Sequence, residues 1–217
     1  MKNKTLIIAE IGVNHNGSID LAIKMIKEAK KIGADAVKFQ TAIPNLVISK
    51  KTLKAKYQME RKNDKETQLE MAEKIHLPLS NYKILKKICD KIGIIFISSP
   101  FDIPSIDELI KIKTKYIKIP SGEITNLPYL NHLGKFNKKL ILSTGMSTLK
   151  EIKWALNLLI KSGTNKKNIT ILQCNSDYPT NFNDVNLLAM AEIKEYFKIN
   201  IGYSDHTLGT DVPIAAV

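Results

Sequence analysis

Seven short apolar runs, set apart by segments of helical periodicity, limit the folds open to this chain more than any other feature. They are Leu6–Ile11, Ala36–Phe39, Ile94–Ile97, Tyr116–Ile119, Leu140–Leu142, Ile169–Leu172 and Ile199–Ile201. Each is apolar on both faces and rich in β-branched residues, the pattern of parallel strands covered from two sides. In the intervening segments Ala22, Met25, Ile26 and Ala29 share one helical face before Gly33, and Leu85, Ile88, Cys89 and Ile92 share another before Gly93. Ile152, Ala155, Leu156 and Leu159 form a third stripe ending near Gly163, and a glycine at each stop fits a helix C-terminus. Ser105 with Glu108 and Thr148 with Glu151 have the spacing of capping boxes. Strands alternating with helices predict parallel pairing through right-handed crossovers.

Two architectures satisfy that alternation. An open doubly wound sheet would carry a glycine-rich dinucleotide fingerprint after its first strand, and none is present. Polar residues instead follow nearly every apolar run: Glu10, Lys38 and Gln40, Ser98 and Ser99, Lys118 to Glu123, Ser143 and Thr144, Asn175 and Ser176, and Ser204 to His206. Chemistry spread over all strand ends is the arrangement of a (β/α)8 TIM barrel, whose site is built at that face from many strands. The expected fold is therefore a TIM barrel truncated after strand seven, with residues 1–217 as a single incomplete domain. An unclosed barrel exposes strand edges, so the chain is expected to be a fragment of a longer polypeptide or to need a partner segment. The long connection from Ala42 to Leu79, with a polar helical piece around Lys65–Ile75, reads as a lid or substrate-binding excursion.

Composition narrows the function. With 217 residues and 44% hydrophobic content the chain can bury one full core. The net charge of +12 is carried almost wholly by scattered lysines, with Arg61 the only arginine, which argues against nucleic-acid binding and for a solvated surface that attracts small anions. Cys89 and Cys174 lie far apart inside apolar segments and read as reduced core thiols. Neither a signal peptide nor a membrane span is visible, and a cytoplasmic location is expected.

Lys38 and Lys118 sit in strands that otherwise read as buried, where a lysine is costly without an anion. One reading is that each snorkels into water. The preferred one, with Ser99, Ser121, Ser143 and Ser204 nearby in the pattern, is a phosphate or carboxylate pocket; a third makes Lys118 the Schiff-base lysine of an aldolase. Glu10 and Glu123 end strands one and four and suit acid, base or sugar-hydroxyl duties. His206 follows Ser204-Asp205 and is a candidate ligand for a divalent metal. His15 either orders its loop or touches substrate, while His76 and His132 read as surface residues.

Taken in order, Ile8-Ala-Glu-Ile-Gly-Val-Asn-His-Asn-Gly17, Val37-Lys-Phe-Gln-Thr41, Ser98-Ser-Pro-Phe101, Lys118-Ile-Pro-Ser-Gly-Glu-Ile-Thr-Asn126, Ser143-Thr-Gly-Met146, Tyr178-Pro-Thr180 and Gly202-Tyr-Ser-Asp-His-Thr207 resemble the N-acetylneuraminate (sialic acid) synthase family, which includes the legionaminate and pseudaminate synthases. The resemblance spans essentially the whole chain and sits nearer the sialic and legionaminic branches. It implies a metal-dependent condensation of phosphoenolpyruvate with an N-acylated mannosamine-type sugar to give a nine-carbon 2-keto acid and phosphate. Carried over by motif, Lys38, Ser99, Lys118, Ser121, Ser143 and Ser204 hold phosphoenolpyruvate. Glu10, Gln40 and Tyr178 face the sugar, and Glu123 is the acid/base. Ser176 stands where some members carry asparagine. His206 is one of two histidine ligands to a metal, usually manganese, with magnesium or cobalt as alternatives. In the family the second histidine lies on strand eight, and an antifreeze-like C-terminal domain completes the partner's site in a homodimer. Neither follows Val217, so the 217-residue chain alone is expected to be inactive. N-acetylmannosamine is the favoured sugar and a diacetamido-trideoxy sugar the alternative. A related 3-deoxy-ulosonate synthase, a lysine aldolase, or an inactive fragment that only binds phosphorylated anions are the rivals.

Overall fold

The computed structural model describes residues 5–55, 58–59 and 66–217. Arg61, and Lys65 at the start of the expected polar helix, lie outside the described residues. The chain divides into two compact units, Met1–Thr114 and Lys115–Val217.

In the first unit, strands β1 (Ile8–Gly12), β2 (Ala36–Thr41) and β3 (Ile95–Pro100) pair in parallel in that order. Helix α1 (Ile19–Lys31) links β1 to β2; Ser18 caps it by accepting from the Leu21 N–H, and Ala22, Ile26 and Ala29 are buried. Gly33 follows at φ 92°, a left-handed value that favours glycine, and turns the chain back into β2. The expected excursion is present as α2 (Pro44–Val47), an antiparallel bridge between Leu53 and Thr67, and α3 (Gln68–Ile75). Its polar character is used: Glu66 accepts from buried Lys54 at 2.8 Å and from Lys74 at 2.6 Å, and Thr67 with Glu70 forms a capping box. Helix α4 (Leu79–Ile92) buries Tyr82, Leu85 and Cys89 and ends on Gly93 at φ 70°.

Helix α5 (Ile103–Lys111) corrects one expectation. Its N-cap is Asp102, not Ser105. Asp102 Oδ1 accepts the Ser105 N–H at 2.7 Å, and Ser105 is itself wholly buried inside the first turn. With Asp102 as the cap, Pro104 falls in the first turn, a place proline favours.

The second unit holds β4 (Tyr116–Ile119), β5 (Lys139–Ser143), β6 (Ile169–Cys174) and β7 (Asn200–Ser204), again parallel and in sequence order. Helices α6 (Leu127–Gly134), α7 (Leu149–Ser162), α8 (Leu188–Phe197) and α9 (Asp211–Ala216) alternate with them. The Thr148–Glu151 capping box starts α7 as expected, and Ile152, Ala155, Leu156 and Leu159 are buried. Helices α6 and α7 approach closely at Gly134, where a β-carbon would lie 2.5 Å from Ser162 Cβ. Burying each such Leu or Ile side chain contributes about 1.5–3 kcal/mol.

All seven expected strands exist, but most run further toward their C-terminal ends than the apolar runs did. Gln40 and Thr41, Ser98 to Pro100, Ser143, Gln173 and Cys174, and Ser204 are strand residues. Cys89 and Cys174 are buried free thiols, and burial, followed by the charge of Asp90, pushes the Cys89 thiol up to about 12. Among the described residues no helix is long and apolar enough to cross a membrane.

Candidate active site

Side chains in a strand alternate between faces, so the register decides which polar residues can act together. In the first unit Glu10 pairs with Lys38, and Gln40 with Ser99. Lys38 and Gln40 are two residues apart, so Glu10, Lys38, Gln40 and Ser99 share one face. The neighbouring Thr41 and Ser98 lie on the other face and bond each other at 2.6 Å. Of the two adjacent serines, Ser99 therefore belongs with the lysine.

Lys38 forms an ion pair with Glu10. The two were expected to meet different substrates, and the sheet places them directly opposite each other. Gly12 lines the same spot, since a β-carbon there would lie 3.2 Å from Glu10 Oε1 and 3.8 Å from Gln40 Nε2. Ser99 Oγ is buried without a hydrogen-bond partner, a costly arrangement that a ligand oxygen would relieve. Sequence reasoning missed two supports. Tyr82 donates its hydroxyl to the Gln40 carbonyl at 2.6 Å, and Asp102 Oδ2 accepts the Ile43 N–H at 2.7 Å, fixing the start of the excursion. Burial holds the Tyr82 phenol well above its usual range. Neither carried a signal beyond apolar spacing and a lone acid.

His15 is fully buried, with its ring 6.0 Å from that of Phe39. The Gly17 N–H donates to its Nδ1 at 3.3 Å, so the proton is on Nε2, which has no partner. Phe39 is on the face opposite Lys38, so His15 orders its loop there. His76 is half-buried, not a surface residue, and donates from Nδ1 to the Ala72 carbonyl at 2.9 Å.

In the second unit Lys118 pairs with Ile141, Ser143 with Leu172, and Cys174 with Ser204. Alternation then places Lys118, Ser143, Cys174 and Ser204 on one face, with Lys118 9% exposed. Ser143 Oγ is buried without a partner, as Ser99 Oγ is. A 3-10 turn over Ser121–Glu123 follows β4; Ser121 Oγ accepts the Gly145 N–H at 2.9 Å, and Asn126 donates to Glu123 Oε2 at 2.6 Å. The asparagine sets the direction of that carboxylate.

After β6 and β7 two loops meet. His206 Nδ1 donates to the Asn175 carbonyl at 2.6 Å, so its Nε2 carries the lone pair and accepts from the Tyr178 hydroxyl at 2.7 Å. The rings lie 4.0 Å apart, and the Thr180 N–H donates to the His206 carbonyl at 2.8 Å. An imidazole anchored through Nδ1–H to a carbonyl is in the tautomer a metal ligand needs. His206 has the tautomer of a metal ligand, with its Nε2 lone pair taken by the Tyr178 hydroxyl in this structure, and among the described residues no three His, Cys, Asp or Glu side chains cluster as a metal site. A recess of about 640 Å³ in this unit, lined by Lys166, Lys167, Lys194 and Lys198 among others, holds none of the candidate residues.

Comparison with known proteins fits this geometry. The profile of the NeuB family matches residues 25–217. The chain is 52% identical over 214 residues to the N,N'-diacetyllegionaminic acid synthase of Campylobacter jejuni, covering 99% of this chain and 64% of that protein. It is 44% identical over 213 residues to the enzyme of the same name from Legionella pneumophila, covering 97% and 60% respectively. The chain therefore spans less than two thirds of the length of either relative. The crystal structure of the N-acetylneuraminic acid synthetase of Leptospira borgpetersenii in complex with citrate superposes with a TM-score of 0.85 at 31% identity, over 99% of this chain and 69% of that one. The expected α/β fold of the TIM-barrel type is thereby established, with seven parallel strands among the described residues. On the family profile and these identities, the chain belongs to the NeuB family.

Proposed function

We propose that this chain is the barrel portion of a cytoplasmic nonulosonic acid synthase, which condenses phosphoenolpyruvate with an N-acyl amino sugar to give a nine-carbon 2-keto acid and inorganic phosphate. The observation that carries the reading is the pair of buried, unpartnered hydroxyls, Ser99 and Ser143, each on the lysine-bearing face of its own unit. A buried hydroxyl without a partner beside a lysine suits a phosphate or carboxylate oxygen. Lys38 and Ser99 in the first unit, and Lys118, Ser121, Ser143 and Ser204 in the second, are the residues proposed to hold phosphoenolpyruvate. A lysine cation offsets part of the charge of a trianionic substrate.

The remaining residues supply orientation and proton transfer. Gln40, Ser176 and Tyr178 are proposed to bind the sugar, with Glu10 holding Lys38 in place on the same face. Carbon 3 of phosphoenolpyruvate attacks the open-chain aldehyde, water adds at carbon 2, and the resulting tetrahedral centre expels phosphate. Glu123, oriented by Asn126, takes the proton of that water. A divalent cation, manganese by family resemblance, supplies a Lewis acid for the aldehyde oxygen when bound, and His206 Nε2 is its proposed protein ligand.

On the sugar, the order of preference drawn from the sequence reverses. The two relatives named for N,N'-diacetyllegionaminic acid are 52% and 44% identical, against 31% for the N-acetylneuraminic acid synthetase. A diacetamido-trideoxy sugar is therefore the proposed substrate, with N-acetylmannosamine second. The test, run on the longer polypeptide of which this chain is the proposed barrel portion, is sugar-dependent phosphate release from phosphoenolpyruvate with manganese present, with each sugar in turn, and product identification by mass. Faster release with the diacetamido sugar, abolished in Lys118→Ala, is expected. A Schiff base trapped by borohydride, or release independent of sugar, would overturn the assignment.

A further inference from the structure

Two chain segments of the second unit, the turn after β4 and the end of β6, converge on the Cα of Gly145, just beyond β5. A β-carbon there would lie 2.4 Å from Ser176 Oγ, 3.0 Å from Ser121 Oγ and 3.3 Å from Cys174 Sγ. The backbone at Gly145 is outside the left-handed region, so the glycine is required by space and not by conformation. Its N–H donates to Ser121 Oγ at 2.9 Å, and Cys174 Sγ lies 3.4 Å from the same oxygen. Cys174 is 6% exposed and is the register partner of Ser204.

A serine hydroxyl has one proton and two lone pairs. The Gly145 amide takes one lone pair and so fixes the side-chain direction; the proton remains, and its neighbour is a sulfur, which is a weak acceptor. We propose that Gly145 and Cys174 are positioning residues for Ser121: the amide aims the hydroxyl, and the thiol parks its proton in a weak bond from which an arriving anionic oxygen takes it. This rests on the reading that Ser121 contacts phosphoenolpyruvate. An oxygen acceptor in place of the sulfur would hold the proton more firmly and compete with substrate; a methyl would merely leave it without a neighbour. The ordering of the two variants follows from that contrast and is the opposite of what packing alone predicts, because alanine leaves the larger cavity.

Two measurements test this. The S–H stretch in the Raman spectrum reads the contact with no ligand present, Cys89 being the only other thiol and assigned by Cys89→Ala. Ser121→Ala is expected to shift the Cys174 band and leave the Cys89 band in place; an unmoved Cys174 band would overturn the contact. Calorimetric titration with phosphoenolpyruvate then compares wild type, Cys174→Ser and Cys174→Ala. Cys174→Ser is expected to weaken binding roughly three- to tenfold, the span of one neutral hydrogen bond, with Cys174→Ala within about twofold of wild type. Equal losses, or a larger loss in Cys174→Ala, mark a packing role and overturn the proposal. Wild-type protein that binds no phosphoenolpyruvate sinks the functional reading, and the parking role with it, whereas the Raman shift would still be seen.

Discussion

Two serines illustrate how the site conflicts with stability at single residues. Ser99 and Ser143 are 2% and 1% exposed, and neither hydroxyl has a hydrogen-bond partner. A buried hydroxyl left unpaired costs about 1–3 kcal/mol. Ser99→Ala and Ser143→Ala are therefore expected to raise the unfolding free energy in urea by about 1 kcal/mol while weakening phosphoenolpyruvate binding; a stability loss in both would show that the hydroxyls are already satisfied. The sequence pointed to these residues only as serines after apolar runs. Motif resemblance singled out Ser99 over Ser98, but the physical reason lies in the register, which sets Ser99 opposite Gln40 while Ser98 turns to Thr41. Glu10 and Lys38 were legible as site residues but not as partners, since they are far apart in the chain and meet only across two paired strands. Cys174 read as a core thiol, and its position beside Ser121 depends on a turn after β4 that no local pattern encodes.

At the scale of elements, the polar ends of the strands are where pattern reading stopped short. Apolar runs mark where a strand is covered on both sides, but the last residues of β2, β5 and β7, and Ser98 and Ser99 near the end of β3, are polar and still pair. The cap of α5 also departs from the local spacing signal. Ser105 has the right spacing to Glu108, yet Asp102 begins the helix and its two carboxylate oxygens serve separate elements, one the first turn of α5 and the other the Ile43 N–H at the root of α2. Asp102 is 7% exposed, so its loss leaves the buried Ser105 N–H and the part-buried Ile43 N–H unpaired. Asp102→Ala is expected to cost about 2–4 kcal/mol, against about 1 kcal/mol for Thr148→Ala at the exposed cap of α7. Denaturant midpoints of the two variants decide this, and equal shifts would mean that the Ile43 contact contributes nothing. Helix α7 and its capping box were fully legible, because cap, stripe and terminal glycine are all local signals.

For the whole molecule, proton uptake on unfolding links buried histidines to stability. Burial, and then the charge of His76, holds the His15 imidazole below its ordinary value of 6.5; burial likewise lowers His76, against the opposing effects of its bond to Ala72 and the charge of Asp102. Both rings are therefore neutral in the folded state at a pH where the unfolded chain binds protons. Lowered folded values mean that the stability they contribute is fully present above pH 6.5 and is lost as pH falls from there through their folded values. The slope is at most about 1.4 kcal/mol per pH unit for each histidine. Glu66, Glu70 and Glu151 are shifted below 4.5 by their hydrogen bonds, so their contribution is lost only at lower pH and falls in a separate window. The net charge of +12 adds self-repulsion as further protons bind, which acts in the same direction but not at a single pH. Urea unfolding followed from pH 8 down to pH 5 is expected to show stability falling below about pH 6.5, with a shallower slope in His15→Gln and the shallowest in His15→Gln/His76→Gln. An unchanged slope in the double variant would place the proton uptake elsewhere and show that these buried rings do not govern the acid sensitivity of the fold.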